Sequence, residues 1–418
     1  MRILILSINY WPEETGIGAF TTYRAEHLAE AGHDVTVCTT FPYYPDWKVA
    51  AAYRGRLLSS EVRKGVRIVR SYAYVPNPVR SIKRIVHEAS FVASSLFRAA
   101  ALKRPDALLV VSPPLGLGLS AILLSRFWRI PYVFDVEDLQ PDAAASLGML
   151  PLWALKLLYK VEAAAYRNAT LVSTITNGMR ERILEKGVPN ERVILFEPRA
   201  DEALLGLSPL EGTAFRTKYS LEGKFIVSHS GNLGVKQGLD VMLRAASLCC
   251  GDDTMTFLLV GNGAAKEGLQ KYAAQLQLNN VRFLPLLDAS DFRGLLAATD
   301  VSLVIQKEAV SDIVFPSKVV TYLSAGCAVV ASVNAGSEVA QAVTESRCGI
   351  VVEPENAEAL LDAVNQLRKG NLAEYRQFAR EYAGRRWAPS RVLGALERSL
   401  QSVCGLAPVS LEEQEIRQ

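Results

Sequence analysis

The chain has 418 residues, of which half are hydrophobic and 21% charged, and a formal net charge of +3. That length supports two domains with ample cores, and the composition is ordinary for a globular protein. So small a charge, with no arginine-rich run or RNA-binding signature, excludes nucleic acid as the partner. The six cysteines show neither CxxC spacing nor a zinc pattern with the four histidines. No metal centre is expected, and a reducing cytosol is the expected environment.

Met1-Arg2-Ile3-Leu4-Ile5-Leu6-Ser7 reads as a first buried strand, too short for a signal-peptide core. Pro12-Glu13-Glu14-Thr15-Gly16-Ile17-Gly18 follows, then a helical segment over 19–31 that ends at Gly32-His33-Asp34-Val35. Gly16 and Gly18 let a ligand approach the backbone, although the GxGxxG spacing is incomplete and a structural turn also fits. Further strand-like runs lie at 35–39, 66–69, 107–111, 132–136, 171–175 and 193–196. The uncharged run 107–125 is long enough for a membrane span, but Pro113-Pro114, Gly116 and Gly118 interrupt it. Strand, turn and helix are expected there, and no span.

Arg80, Lys83, Arg84, Arg98, Lys103 and Arg104 face the single acid Glu88 in this part of the chain. They overlap a helical apolar stripe made of Ile82, Ile85, Val86, Ala89, Val92, Ala93, Leu96 and Phe97. Two readings stand: Arg80, Lys83 and Arg84 lie on an anionic bilayer, or the helix packs on the sheet with solvated arginines. After the strand at 132–136 comes Glu137-Asp138-Leu139-Gln140-Pro141-Asp142. Asp138 there either orients a hydroxyl or accepts a proton, or else caps a helix ahead of Pro141.

The pattern lapses over 199–223, read as a linker, and restarts at 224–230, 256–260, 281–285, 301–305, 328–332 and 349–352. Near-continuous apolar strands alternating with helices predict an α/β fold with two Rossmann-like, doubly wound parallel-sheet domains. The expected boundaries are 1–198 and 224–384, followed by a helix at 385–403 and a frayed tail at 404–418. Ligands of such sheets bind beyond the carboxyl ends of the strands.

Three such loops fall in the second half. The strand ending at Ser230 runs into Gly231-Asn232-Leu233-Gly234-Val235-Lys236-Gln237-Gly238, glycines and a lysine suited to a diphosphate. The next ends in Val260-Gly261-Asn262-Gly263, where a tight turn fits as well. Lys307-Glu308-Ala309-Val310-Ser311-Asp312 is either a solvated loop or a wall beside the ligand. Phe315-Pro316-Ser317-Lys318 then opens a short helix that carries Tyr322 and stops at Gly326. Pro316 in the first turn wastes no hydrogen bond, and free amides with the Ser317 hydroxyl and Lys318 cation make an anion seat.

Together these motifs resemble the retaining nucleotide-sugar glycosyltransferases of family 4, of GT-B architecture, over nearly the whole chain. The likeness is nearest to the bacterial exopolysaccharide, O-antigen and colanic-acid branch, through Asp138-Leu139 with Pro141, Ser230-Gly231-Asn232-Leu233-Gly234 and Pro316-Ser317-Lys318. It implies two domains facing a central cleft, with the acceptor on the first and a UDP- or GDP-sugar held mainly by the second. It implies retention, no metal or other cofactor, a polyprenyl-diphosphate-linked saccharide as acceptor, and a cytoplasmic enzyme peripheral on the inner face of the membrane. Donor contacts are expected from Gly16, Gly18, Gly231, Asn232, Gly261, Asn262, Gly263, Asp312, Pro316, Ser317, Lys318 and Tyr322. Asp138, Lys236 and Lys318 are expected to do the chemistry.

Departures accompany the likeness. The family's acid-x7-acid motif would fall on Ile313 and Thr321, and the phosphate-loop Arg and Lys on Asn232 and Gln237. Asp312 or Glu308 is the expected replacement acid. A nucleotide-sugar epimerase and a non-catalytic nucleotide-sugar-binding subunit are the rival readings.

Overall fold

A computed structural model describes residues 1–13, 16–78, 81–146, 150–310 and 318–406. The chain forms two compact units, Met1–Glu197 with Val392–Gln418, and Pro198–Arg391.

The first unit begins with β1 (Arg2–Leu6), α1 (Ile17–Glu30), β2 (Asp34–Thr40), β3 (Leu58–Arg63) and β4 (Val66–Ser71). It continues with α2 (Ser81–Ala100), β5 (Ala107–Ser112), α3 (Leu117–Trp128), β6 (Tyr132–Val136) and α4 (Gln140–Ser146). Then come α5 (Leu152–Asn168), β7 (Leu171–Thr174), α6 (Asn177–Glu185) and β8 (Val193–Leu195). The strands make one sheet in the order β3-β4-β2-β1-β5-β6-β7-β8, with β3 antiparallel to β4. Every position of β5 is buried, because helices cover both faces. β3 is different: its edge position leaves Leu-Ser-Ser-Glu-Val-Arg alternating between half-buried and exposed. No apolar run marks it, and the sequence pattern passes over it.

The second unit comprises α7 (Glu202–Leu205), α8 (Pro209–Lys218), β9 (Phe225–Ser230), α9 (Asp240–Leu248), β10 (Met255–Val260) and α10 (Lys266–Gln275). Next are β11 (Val281–Leu284), α11 (Ala289–Ala298), β12 (Val301–Ile305), α12 (Lys318–Ser324) and β13 (Ala328–Ser332). The unit closes with α13 (Glu338–Ser346), β14 (Gly349–Val352), α14 (Ala357–Lys369) and α15 (Leu372–Arg386). Its parallel sheet runs β11-β10-β9-β12-β13-β14, so the winding reverses between β9 and β12. In doubly wound sheets such a reversal is where a ligand crevice forms, at the carboxyl ends of the strands.

Residues 199–223, expected as a linker, instead carry α7 and α8. Helix α8 starts in a capping box: Ser208 Oγ accepts from the Leu210 amide at 3.2 Å, and Glu211 Oε2 accepts from the Ser208 amide at 2.9 Å. Gly212 lets α8 touch the backbone of Ala297; a Cβ there would lie 2.8 Å from the Ala297 carbonyl carbon. Beyond α15, Trp387-Ala388 break the helix ahead of Pro389 and α16 (Pro389–Val403) begins. Residues 385–403 are therefore the end of one helix and the whole of another. From Val392 onward α16 belongs to the first unit, with Leu396 and Leu400 packed against Ile3, Ile5 and Leu28. Among the described residues no helix is long and apolar enough to cross a membrane.

Glu397 ties α16 to α1: its Oε1 lies 3.1 Å from His33 Nε2 and its Oε2 3.8 Å from His27 Nε2. The His33 hydrogen bond, opposed by burial, holds the Glu397 carboxyl below its ordinary value. A depressed folded value means that the contact stabilises fully above the unfolded glutamate pKa, about 4.3, and fades as pH falls through the lower folded one. Glu397→Gln is expected to flatten the acid limb of the stability curve below about pH 4.3. Superimposable acid limbs in chemical unfolding would remove Glu397 from that role.

Candidate active site

At the crossover of the second sheet, His229 is fully buried near the end of β9. Its Nδ1 lies 3.2 Å from the Leu303 carbonyl of β12, and its Nε2 lies 3.0 Å from Lys318 Nζ. A carbonyl only accepts, so Nδ1 carries the proton and Nε2 accepts from the ammonium. Burial, reinforced by the neighbouring Lys318 charge, holds the imidazole well below its usual value and keeps it neutral. Burial also lowers Lys318 to about 8. Among the described residues no carboxylate pairs with Lys318. One of its three N–H groups is used on His229.

Tyr322 anchors the same strand end. Its hydroxyl accepts from the Ser230 amide at 2.9 Å and lies 3.0 Å from Ser230 Oγ, with the side chain fully buried. Burial pushes the phenol up to about 12. Tyr322 is thus held by β9 through Ser230.

Two glycine turns close over these strands. The amides of Gly231, Leu233 and Gly261 donate to the carbonyls of Val260, Asn262 and Leu284 at 2.9, 2.8 and 3.1 Å. These three amides are committed within the protein. The glycines serve approach instead: a Cβ on Gly261 would stand 2.0 Å from the Gly231 carbonyl oxygen, and one on Gly263 2.3 Å from that of Leu233. On its open side Gly231 faces Lys318: a Cβ there would stand 3.9 Å from both Cε and Nζ. Asn232 is exposed, and Asn262 Oδ1 takes Lys266 Nζ at 3.2 Å. Lys236 sits in a 3-10 turn over Val235–Gln237, its side chain outside the described residues. Asp312, Pro316 and Ser317 also lie outside the described residues.

In the first unit, Asp138 lies two residues beyond β6, and its carbonyl accepts from the Gln140 amide at 3.0 Å. Beneath it, buried Arg24 donates from Nη1 to Asp135 Oδ2 and Glu137 Oε1, both at 2.6 Å, and from Nη2 to the Phe196 carbonyl at 2.9 Å. Ser173 Oγ donates to Asp135 Oδ1 at 2.7 Å. Two carboxylates share one guanidinium in a dry site, and burial pushes the Glu137 carboxyl upward. The cluster rigidly seats the strand end that presents Asp138.

Gly16 takes φ 60° just ahead of α1. Gly18 packs under the preceding turn, where a Cβ would come within 2.8 Å of the Glu13 carbonyl oxygen. The buried Glu13 carboxylate accepts from the amides of Tyr43 and Tyr44, both at 2.8 Å, and from Asn9 Nδ2 at 2.7 Å. The two glycines thus shape a loop organised around Glu13. On α2, Lys83 is half-buried and exposed Arg84 pairs with Glu88 at 3.2 Å; Arg80 lies outside the described residues.

Arg24, His229 and Glu13 escaped the sequence reading. The signal for His229 was a histidine inside an otherwise apolar, doubly covered strand; nothing local marks Arg24 or Glu13.

A half-buried cation beside glycine turns, where the strand order of a parallel sheet reverses, is an arrangement of doubly wound α/β proteins. Residues 15–198 match the glycosyl transferase 4-like domain and residues 212–386 the glycosyl transferases group 1. WcaI of Escherichia coli (strain K12), named as a colanic acid biosynthesis glycosyl transferase, is 35% identical over 94% of this chain and 98% of its own. WbjE of Pseudomonas aeruginosa, named as a glycosyltransferase, is 25% identical over 63% of this chain and 66% of its own. The chain belongs to the family 4 glycosyltransferases. Its fold is the GT-B fold, shared with Anabaena HepE crystallised with UDP (TM-score 0.73, 18% identity, 96% of this chain and 100% of that one). Sucrose-phosphate synthase of Thermosynechococcus elongatus is similar too (TM-score 0.74, 17% identity, 96% and 99%).

Proposed function

We propose that this glycosyltransferase moves a sugar, with retention, from a UDP- or GDP-sugar to a polyprenyl-diphosphate-linked saccharide during bacterial surface-polysaccharide synthesis. The reaction runs at the inner face of the cell membrane. The observation that carries the reading is Lys318, a partly buried ammonium held by a neutral imidazole at the β9–β12 crossover. As the glycosidic bond breaks, negative charge gathers on the departing diphosphate, and a cation already in place needs no reorganisation to meet it. Lys236 is the second candidate for that charge. The work is done by side chains, so turnover should survive chelation of divalent metal by EDTA. Support for the donor class comes from HepE, crystallised with UDP, and for the pathway from WcaI, named for colanic acid biosynthesis.

Asp138, at the end of β6, is assigned to the acceptor side, where it orients the attacking hydroxyl. Asp138→Asn is expected to lower kcat about 100-fold while leaving donor affinity within about twofold. Wild-type kcat would take Asp138 out of the chemistry.

Thermal stabilisation across UDP-, GDP-, dTDP- and ADP-sugars tests the donor reading, and NMR of the product anomer tests retention. One nucleotide family should raise the melting temperature, and the product should keep the donor's configuration. No stabilisation by any of the four would sink the proposal.

A further inference from the structure

Phe91 and Ala99 of α2, Leu124 and Trp128 of α3, and Ala165 and Tyr166 of α5 all enter one core cluster. The three helices therefore cover the same face of the first sheet, and their outer sides form a single surface. A soluble layer would make that surface polar. Here it is apolar. On α2, Val92 and Leu96 turn inward, whereas Ile85, Val86 and Phe97 are 53%, 48% and 78% exposed. The stripe that reads as one face in the sequence is thus two faces. On α3, Leu119, Leu123 and Phe127 form a second exposed line with a spacing of four residues. On α5, Leu152, Trp153 and Leu157 are 76%, 71% and 54% exposed. Monomeric soluble proteins rarely leave so many large apolar side chains together in water.

Charge selects the occupant. The three helices contain only two acids, Glu88 and Glu162. Glu88 is bonded to Arg84 and Gln140, and Glu162 is buried against Lys186 and Tyr166. Lys83, Arg84, Arg126, Lys156 and Lys160 surround the apolar lines with no outward acid among them. A second copy docking by the same face would set basic rim against basic rim. An anionic leaflet meets both features, taking the aromatic side chains at headgroup level and the cations on lipid phosphates.

We propose that the α2–α3–α5 face is the membrane-docking surface of this protein, with Phe97, Phe127 and Trp153 entering an anionic bilayer. It rests on the membrane location in the proposed function and names the surface that meets the membrane. It does not depend on the transfer chemistry, because vesicle binding is measured without donor or acceptor.

The test sediments full-length protein with phosphatidylcholine vesicles, with and without phosphatidylglycerol. Wild type should bind the phosphatidylglycerol vesicles, and added salt should weaken binding. The double variant Phe127→Ser with Trp153→Ser should bind at least about tenfold more weakly at an unchanged melting temperature and unchanged nucleotide-sugar affinity. Bromolipid should quench wild-type tryptophan fluorescence, and Trp153→Phe should lose that quenching. Equal binding of wild type and double variant would overturn the proposal. So would a wild-type dimer in sedimentation velocity that the double variant converts to monomer, which would assign the face to a second copy.

Discussion

Replacing Lys318 with alanine is expected to lower turnover about 100- to 1,000-fold, the usual effect of removing one preorganised donor to a developing anion. The physical basis is the imbalance around its ammonium. Burial lowers Lys318 to about 8, and among the described residues its hydrogen-bond partner is neutral His229 rather than a carboxylate. A bound diphosphate supplies the missing negative charge and draws the lysine back to its protonated form. Binding therefore takes up a proton where free Lys318 is partly deprotonated. Diphosphate affinity in wild type should weaken as pH rises through about 8, and Lys318→Ala should lose that dependence. The opposite holds for the empty fold: a depressed lysine costs stability at low pH, and the cost fades above about 8. Calorimetry across pH 7 to 9 separates the two effects, and a pH profile identical in both proteins would detach Lys318 from the phosphate.

Arg24→Met should have the largest effect on the fold, destabilising the first unit by about 3–5 kcal/mol. The substitution leaves Asp135 fully buried and Glu137 nearly so without the cation that both share at 2.6 Å. It also strands the Phe196 carbonyl. Urea unfolding should show the midpoint falling with little change in slope. Adding Glu137→Gln should recover part of the loss, because one buried acid is removed. A change below about 1 kcal/mol would mean that water reaches the cluster and screens it.

The architecture was legible because its strands are covered on both faces, so their apolar runs stand out wherever they occur. Legibility failed where burial is one-sided or absent, as at edge strand β3, and where small helices such as α8 are stabilised by caps and a glycine contact rather than an apolar stripe. The same distinction governs the site. Lys318 and Gly231 could be found from a loop that follows a strand, because their placement is set by local chain order. Arg24 could not: its partners are 111, 113 and 172 residues away, and only the folded sheet gathers them. Gly261 and Gly263 were visible as a glycine turn, but their cause is the contact with the neighbouring turn, which no spacing rule contains. Tyr322 was visible within the motif, but the reach of its hydroxyl to Ser230 was not, since that packing joins residues 92 apart in the chain.

The most direct measurement is a calorimetric comparison of wild type with Lys318→Ala. Each is titrated with the nucleoside diphosphate chosen by the donor screen and with the corresponding nucleoside. The expected result is a loss of at least about tenfold for the diphosphate, the size of one charge-assisted hydrogen bond, with the nucleoside unaffected. Equal losses for both ligands, or no loss for either, would contradict the assignment of Lys318 as the cation that receives the departing diphosphate.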